Sequence, residues 1–308
     1  MRFEEIYQNV PSPHIPEKLP IELETALFDK DIIRLISKAN NALGAYRGFL
    51  VNTINPMLLI SPLVSQEAVL SSKLEGTHAT IADFINYDAG NEVSIPKDEM
   101  QEIMNYRSAL FYALDKMSTI SDNSEEGRHK LPLSTRLIRE MNRILLDNVR
   151  GQAKTPGEFK TEQNYIGTIN TISFTPLPPE LTLEYMANLE QYIHYDEIDF
   201  LIQAALIHCQ FEMIHPFKDG NGRIARALAT LVFLQNGWFP LVITNENRKE
   251  YIDSLEKADY GDLKPLVAFF TQLAKDAFIR ALSISETVIS SQRTTENVLT
   301  AIQKTIFD

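Results

Sequence analysis

The feature that most narrows what this chain can fold into is a polar loop, His215-Pro216-Phe217-Lys218-Asp219-Gly220-Asn221-Gly222-Arg223-Ile224-Ala225-Arg226, set between two apolar, helix-like stretches. The first stretch runs Ile198 to Met213 and the second Ile224 to Gln235. A base, an acid, two glycines and two arginines are therefore held between two buried scaffolds. Polar groups held that way pack poorly and are well placed for chemistry.

The loop reads as an anion site. Gly220 and Gly222 admit backbone angles closed to other residues, so successive N–H groups can turn inward as a nest. The helix that begins near Gly222 adds its positive end, a natural seat for phosphate oxygens. Arg223 and Arg226 are three apart, on one helical face, and can present forked donors to a polyphosphate. Asp219 supplies an oxygen ligand, and Mg2+ beside phosphates usually takes one or two carboxylates. His215 can accept a proton near neutral pH. Phe217 is the exception, expected to bury its ring and anchor the loop. Taken singly, each of these features has an ordinary structural explanation; their joint occurrence at fixed spacing does not.

The segment resembles the signature of Fic-domain proteins, HPFx(D/E)GNGRxxR, at every specified position. The resemblance implies an all-α Fic fold, a helical bundle with a small β-hairpin flap, preceded by an N-terminal helical region. It also implies transfer of AMP from ATP to a Ser, Thr or Tyr hydroxyl of a target protein or of the chain itself. His215 would be the general base, and Asp219 would hold Mg2+ between the α- and β-phosphates. Gly220, Asn221 and Gly222 would form the anion hole, with Arg223 and Arg226 on the β- and γ-phosphates. Tyr251 resembles a residue that lines the adenine end; an ordinary buried tyrosine is an equal alternative.

Upstream, Ser71-Ser72-Lys73-Leu74-Glu75-Gly76 resembles the inhibitory motif (S/T)xxxE(G/N) found before many Fic cores. Glu75 would then pair with Arg226 and take the space needed by the γ-phosphate. The macrodipole disfavours an anion at a helix C-terminus by a few tenths to ~1 kcal/mol, which makes sense if a guanidinium compensates it. In some relatives the same glutamate aligns a water for removing AMP. Ser71 would fix the helix, with an ordinary helical serine the alternative, and Gly76 fits the C′ position.

Composition bounds the rest. The chain has 308 residues, 44% of them hydrophobic, enough for a large core. A net charge of −12 argues against a nucleic-acid partner. The one cysteine, Cys209, fits a reducing compartment. The N-terminus lacks the apolar run of a signal peptide, and no stretch reaches the ~20 apolar residues of a membrane span. A soluble, cytoplasmic protein without a membrane partner is expected.

In chain order, Pro11, Pro13, Pro16 and Pro20 make the start an extended arm. Helices are expected at 26–50, from Leu63 with Pro62 in its first turn, from Ser94 to Met117, from Thr135 to Asn148, and from Leu181 to Tyr195. The polar stretch 118–130 reads as a linker between an N-terminal region (1–117) and a Fic core (131–245), with C-terminal helices over 246–308. Segment 156–175 reads as a hairpin with Gly167 and Asn170 near its bend. In Fic proteins this is the flap, and Gly167, Thr168 and Ile169 would dock the target by strand addition. Lys160 and Tyr165 stand where the family commonly has Arg and Trp. His208 is expected in the core. A helix over 263–290 and a short one over 294–308 complete the chain; their apolar positions leave open a sealed body or a homodimer face. Two rival functions remain: a nucleotide-binding regulatory module without turnover, and Fic-type transfer of a different phosphate-containing group.

Overall fold

The computed structural model describes residues 10–23, 25–50, 57–117, 132–149, 151–168 and 171–291. The expected linker over 118–130, Ile169 of the flap, the start of the arm and the C-terminal tail helix lie outside the described residues. The architecture is all-α with one hairpin, as expected. Its helices are α1 (Lys30–Leu50), α2 (Met57–Leu74), α3 (Ile81–Asp88), α4 (Lys97–Lys116), α5 (Thr135–Leu145), α6 (Thr182–Ile193), α7 (Phe200–Ile214), α8 (Asn221–Gln235), α9 (Arg248–Ala258) and α10 (Lys264–Ser291). Strands β1 (Ile166–Thr168) and β2 (Thr171–Phe174) pair antiparallel, with Gly167 opposite Ile172. A side chain at Gly167 would place its Cβ 2.2 Å from the Thr171 carbonyl oxygen, so only glycine fits.

The core is organised on α7 and α8. Asp199 caps α7, its carboxylate accepting from the Leu201 N–H at 2.9 Å. Nearly every residue of α7 from Leu201 to Ile214 is buried, and α8 is buried from Ile224 to Phe233. Helices enclosed on all sides read as continuous apolar runs rather than stripes, which is how both segments read. Around them, α4 packs on α2, α5 and α8; α6 and α10 pack on α7; α1 and α9 pack on α10. The arm lies on the body: the His14 N–H donates to the Thr175 carbonyl at 2.8 Å, and Asn188 holds Leu19 through both its backbone groups at 2.9 and 2.7 Å.

Three of these boundaries differ markedly from expectation. Helix α2 starts at Met57 and carries Pro62 inside it. The lost hydrogen bond there is outweighed by the burial of Leu63, Val64, Ala68 and Val69 further along the same helix. Helix α4 starts at Lys97 behind Pro96, whose fixed φ of −54° pre-forms the entry, so Ser94 caps nothing. Helix α5 stops at Leu145, because Asn148 turns the chain with a φ of 54° before Gly151 is reached. The short α3 is fixed by a reciprocal capping box, Thr80 with Asp83.

Candidate active site

The loop between α7 and α8 is rigid because its own residues clamp it. His215 ends α7 in the left-handed conformation, φ 48° and ψ 60°. Phe217 is buried, its ring 5.5 Å from Phe159 and 6.3 Å from Phe211. The Asn221 side chain accepts from the Phe217 N–H at 2.8 Å and donates to the Phe217 carbonyl at 2.7 Å. Its side chain is thereby tied to the loop, and its backbone N–H, at the start of α8, borders the cavity. Lys160 braces the loop from the flap side, donating to the Ile214 carbonyl and to the Asn164 side chain, each at 2.9 Å. Asn164 in turn donates to the carbonyls of His215 and Phe217 at 3.0 Å. Burial pushes the Lys160 ammonium down to about 7.

A cavity of about 760 Å³ opens above this loop. His215, Asp219, Gly220, Asn221, Gly222 and Arg226 line it, with Glu75 at one wall and Tyr251 at another. Gly220 starts α8 with a φ of 78°; a Cβ there would sit 2.9 Å from Leu145 and 3.2 Å from Asn142. Gly220, Asn221 and Gly222, at the start of α8, all border the cavity, and the start of a helix is where an anion seat is found.

That seat is covered by a carboxylate. Glu75 follows the last residue of α2, and its Oε1 lies 2.7 Å from an Arg226 Nη. The same oxygen would be 2.6 Å from a Cβ built on Gly222. Ser71, one turn back on α2, accepts from the Arg226 Nε at 2.6 Å through its hydroxyl and from the Nη at 3.1 Å through its carbonyl. Burial works against the Arg226 charge, but Glu75, together with Tyr251 and Tyr106, holds the guanidinium above its ordinary range. Gly76 turns the chain away with a φ of 104°.

Arg223 does not line the cavity beside Arg226. It is buried, with its guanidinium 3.4 Å from Glu102 on α4 and 3.6 Å from Asp219. A buried carboxylate on a neighbouring helix claims it, a contact that spacing along the chain cannot show. Asp219 is partly exposed; its Oδ1 accepts from the Gly220 N–H at 2.6 Å. No group of three or more His, Cys, Asp or Glu side chains able to hold a metal occurs among the described residues. Asp219, the carboxylate next to the anion seat, fits Mg2+ shared with phosphate oxygens, whereas the site does not fit an all-protein metal cage.

Tyr251 is buried, its hydroxyl 2.9 Å from His208 Nε2, so His208 is a core residue. Of the flap, Ile166, Ser173 and Phe174 reach the cavity, whereas Gly167 does not; Thr168 ends β1. Sequence reasoning missed two acids here. Glu212 lines the cavity with its Oε2 3.5 Å from His215 Nδ1. Burial pushes its carboxyl up, but His215, His208 and Arg226 outweigh this and hold it below its usual range. Asp259, just after α9, is pushed up to about 7 by burial, Glu212 and Glu256. The position of Glu212 three residues before His215 was the available signal for the first; nothing local marked the second.

Residues 132–233 match the model of the Fic/DOC family, and residues 33–115 that of the Fic/DOC family N-terminal region. The protein adenylyltransferase fic-1 of Caenorhabditis briggsae is 33% identical over 153 residues, 49% of this chain and 29% of that protein. The protein adenylyltransferase Fic of Culex quinquefasciatus is 28% identical over 193 residues, 60% of this chain and 35% of that protein. The matched region thus spans about a third of the length of these curated relatives. Among solved structures, a fragment of Fic-1 from C. elegans superposes with a TM-score of 0.67 at 23% identity, covering 84% of this chain and 73% of that one. A Fic domain containing signaling protein from Bacteroides thetaiotaomicron gives 0.67 at 22% identity, covering 81% and 96%. At these identities the structural likeness speaks for the fold alone. With the loop, its covering glutamate and both adjoining family matches in place, the chain belongs to the Fic/DOC family.

Proposed function

We propose that the chain is a protein adenylyltransferase that moves AMP from Mg-ATP to a hydroxyl side chain of a protein, and that Glu75 inhibits its resting form. The observation that carries the reading is the Glu75 carboxylate lying on Arg226 and above Gly222, where phosphate oxygens would otherwise sit. The names of the relatives, protein adenylyltransferases, support the group transferred.

The chemistry follows from the wall groups. His215 Nδ1 is turned inward and buried, which leaves Nε2 as the ring nitrogen available to the cavity. Nε2 takes the proton of the target hydroxyl as its oxygen bonds to the α-phosphorus. The bond from that phosphorus to the bridging oxygen breaks, and pyrophosphate leaves. The backbone N–H groups of Asn221 and Gly222 and the Arg226 guanidinium would hold the phosphate oxygens, the Gly220 N–H being already given to Asp219. Asp219 would hold Mg2+, which supplies charge neutralisation on the phosphates. Ile166, Ser173 and Phe174 put the hairpin at the cavity mouth, where a target backbone could add as a strand.

The test is incorporation of α-labelled ATP into protein. A charge-assisted hydrogen bond contributes ~1.5–3 kcal/mol, so removing the lock by Glu75→Gly should raise incorporation by roughly tenfold to a hundredfold. Adding His215→Ala should abolish it. Equal labelling by Glu75→Gly and the parent would end the inhibitory reading; label arriving only from γ-tagged ATP would end AMP transfer.

A further inference from the structure

The geometry points to Glu212 as the positioning residue that orients His215, its carboxylate accepting the Nδ1 proton so that Nε2 faces the substrate. This deepens the proposed function and rests on it for the catalytic role of His215.

Three observations meet at this pair. His215 Nδ1 is buried and has no hydrogen-bond partner in the resting geometry, an arrangement that ordinarily costs about 1–3 kcal/mol. An acceptor, Glu212 Oε2, stands 3.5 Å away. Catalytic hydrogen bonds are often long before substrate arrives and tighten in the productive complex. Second, the backbone leaves few alternatives. His215 ends α7 in the left-handed conformation, and Glu212 stands one turn before it with its Oε2 3.5 Å from the ring Nδ1. Third, Glu212 is itself held as an anion. Burial works against the charge, but His215, His208 and Arg226 face it and outweigh that effect. A carboxylate kept ionised behind an imidazole fixes the tautomer and stabilises the imidazolium once the hydroxyl proton has moved to Nε2. No further group is consumed: the proton leaves the hydroxyl, rides on Nε2, and the Nδ1 proton stays between ring and carboxylate.

Glu212 also lies near Arg226, so a nucleotide contact is the rival role, and KM separates the two. In the Glu75→Gly background, Glu212→Gln should lower kcat by about tenfold to a hundredfold with KM for ATP unchanged, the size of a lost general-base partner. Glu212→Asp, which keeps the charge, should retain more activity than Glu212→Gln, which keeps the shape. A packing role predicts the opposite order. Independently of turnover, nitrogen-edited NMR should show His215 with its proton on Nδ1 and a downfield Nδ1–H resonance that moves upfield in Glu212→Gln. Parental kcat in Glu212→Gln, or a resonance unmoved by it, would overturn the assignment. If the Glu75→Gly parent transfers no AMP, the proposed function fails, while the NMR result still decides where the proton sits.

Discussion

Glu67 offers the sharpest quantitative prediction. It lies on α2 two turns before Glu75 and is fully buried, with Oε1 accepting from the Tyr106 hydroxyl at 2.8 Å and Oε2 unpartnered. Burial raises its carboxyl from 4.5 to about 8, against the opposing pull of Tyr106, Arg226 and Ser71. The acid is therefore neutral in the folded protein at pH 7 and ionised in the unfolded chain. Between pH 4.5 and 8 the folded state binds the extra proton, so stability falls as pH rises. The shift of 8 − 4.5 = 3.5 units sets a ceiling of about 5 kcal/mol at 1.36 kcal/mol per unit. Over the accessible range of pH 5 to 8 the change is about 3–4 kcal/mol, a large share of a typical 5–15 kcal/mol domain stability. Glu67→Gln keeps the shape and the acceptor for Tyr106 and removes the titration. Urea unfolding of both proteins at several pH values should show the variant gaining on the parent by that amount between pH 5 and pH 8. Parallel curves, differing by less than about 1 kcal/mol in slope over the range, would mean that Glu67 is ionised in the fold and refute the argument.

Other expectations follow from the loop and its brace. Asn221→Ala removes both clamps on Phe217 and leaves its buried N–H unpaired, which should cost about 1–3 kcal/mol in urea unfolding and lower kcat with it. Lys160 titrates with the opposite sign to Glu67: its folded value near 7 lies below the ordinary 10.5, so the unfolded chain binds the extra proton between these values. The parent should therefore gain stability relative to Lys160→Met as pH rises from 7 towards 10, read by denaturant midpoints.

Much of this site was legible because its parts are local. The two glycines, Asp219, Arg226 and His215 occupy one short loop, and the apolar runs on either side could only be buried helices. Spacing failed where the third dimension decides. Arg223 and Arg226 share a face in projection, yet Glu102, on a helix more than a hundred residues earlier, draws the first one away from the cavity. Asp259 reaches the same cavity from α9 without any motif around it. Pro62 misled because the breaker rule weighs one lost hydrogen bond and not the burial along α2 that tolerates it. The contact between Glu75 and Arg226 joins residues 151 positions apart and could be anticipated only through resemblance.

The brace formed by Lys160 and Asn164 makes the hairpin and the histidine parts of one lever. Both residues stand at the root of the hairpin, and both hold carbonyls of the segment from Ile214 to Phe217. A pull on the hairpin is thus a pull on the backbone that carries the imidazole. Capture of a guest strand and the readiness of the base would not be separable quantities, and changes made far out on the hairpin would register in turnover as well as in affinity.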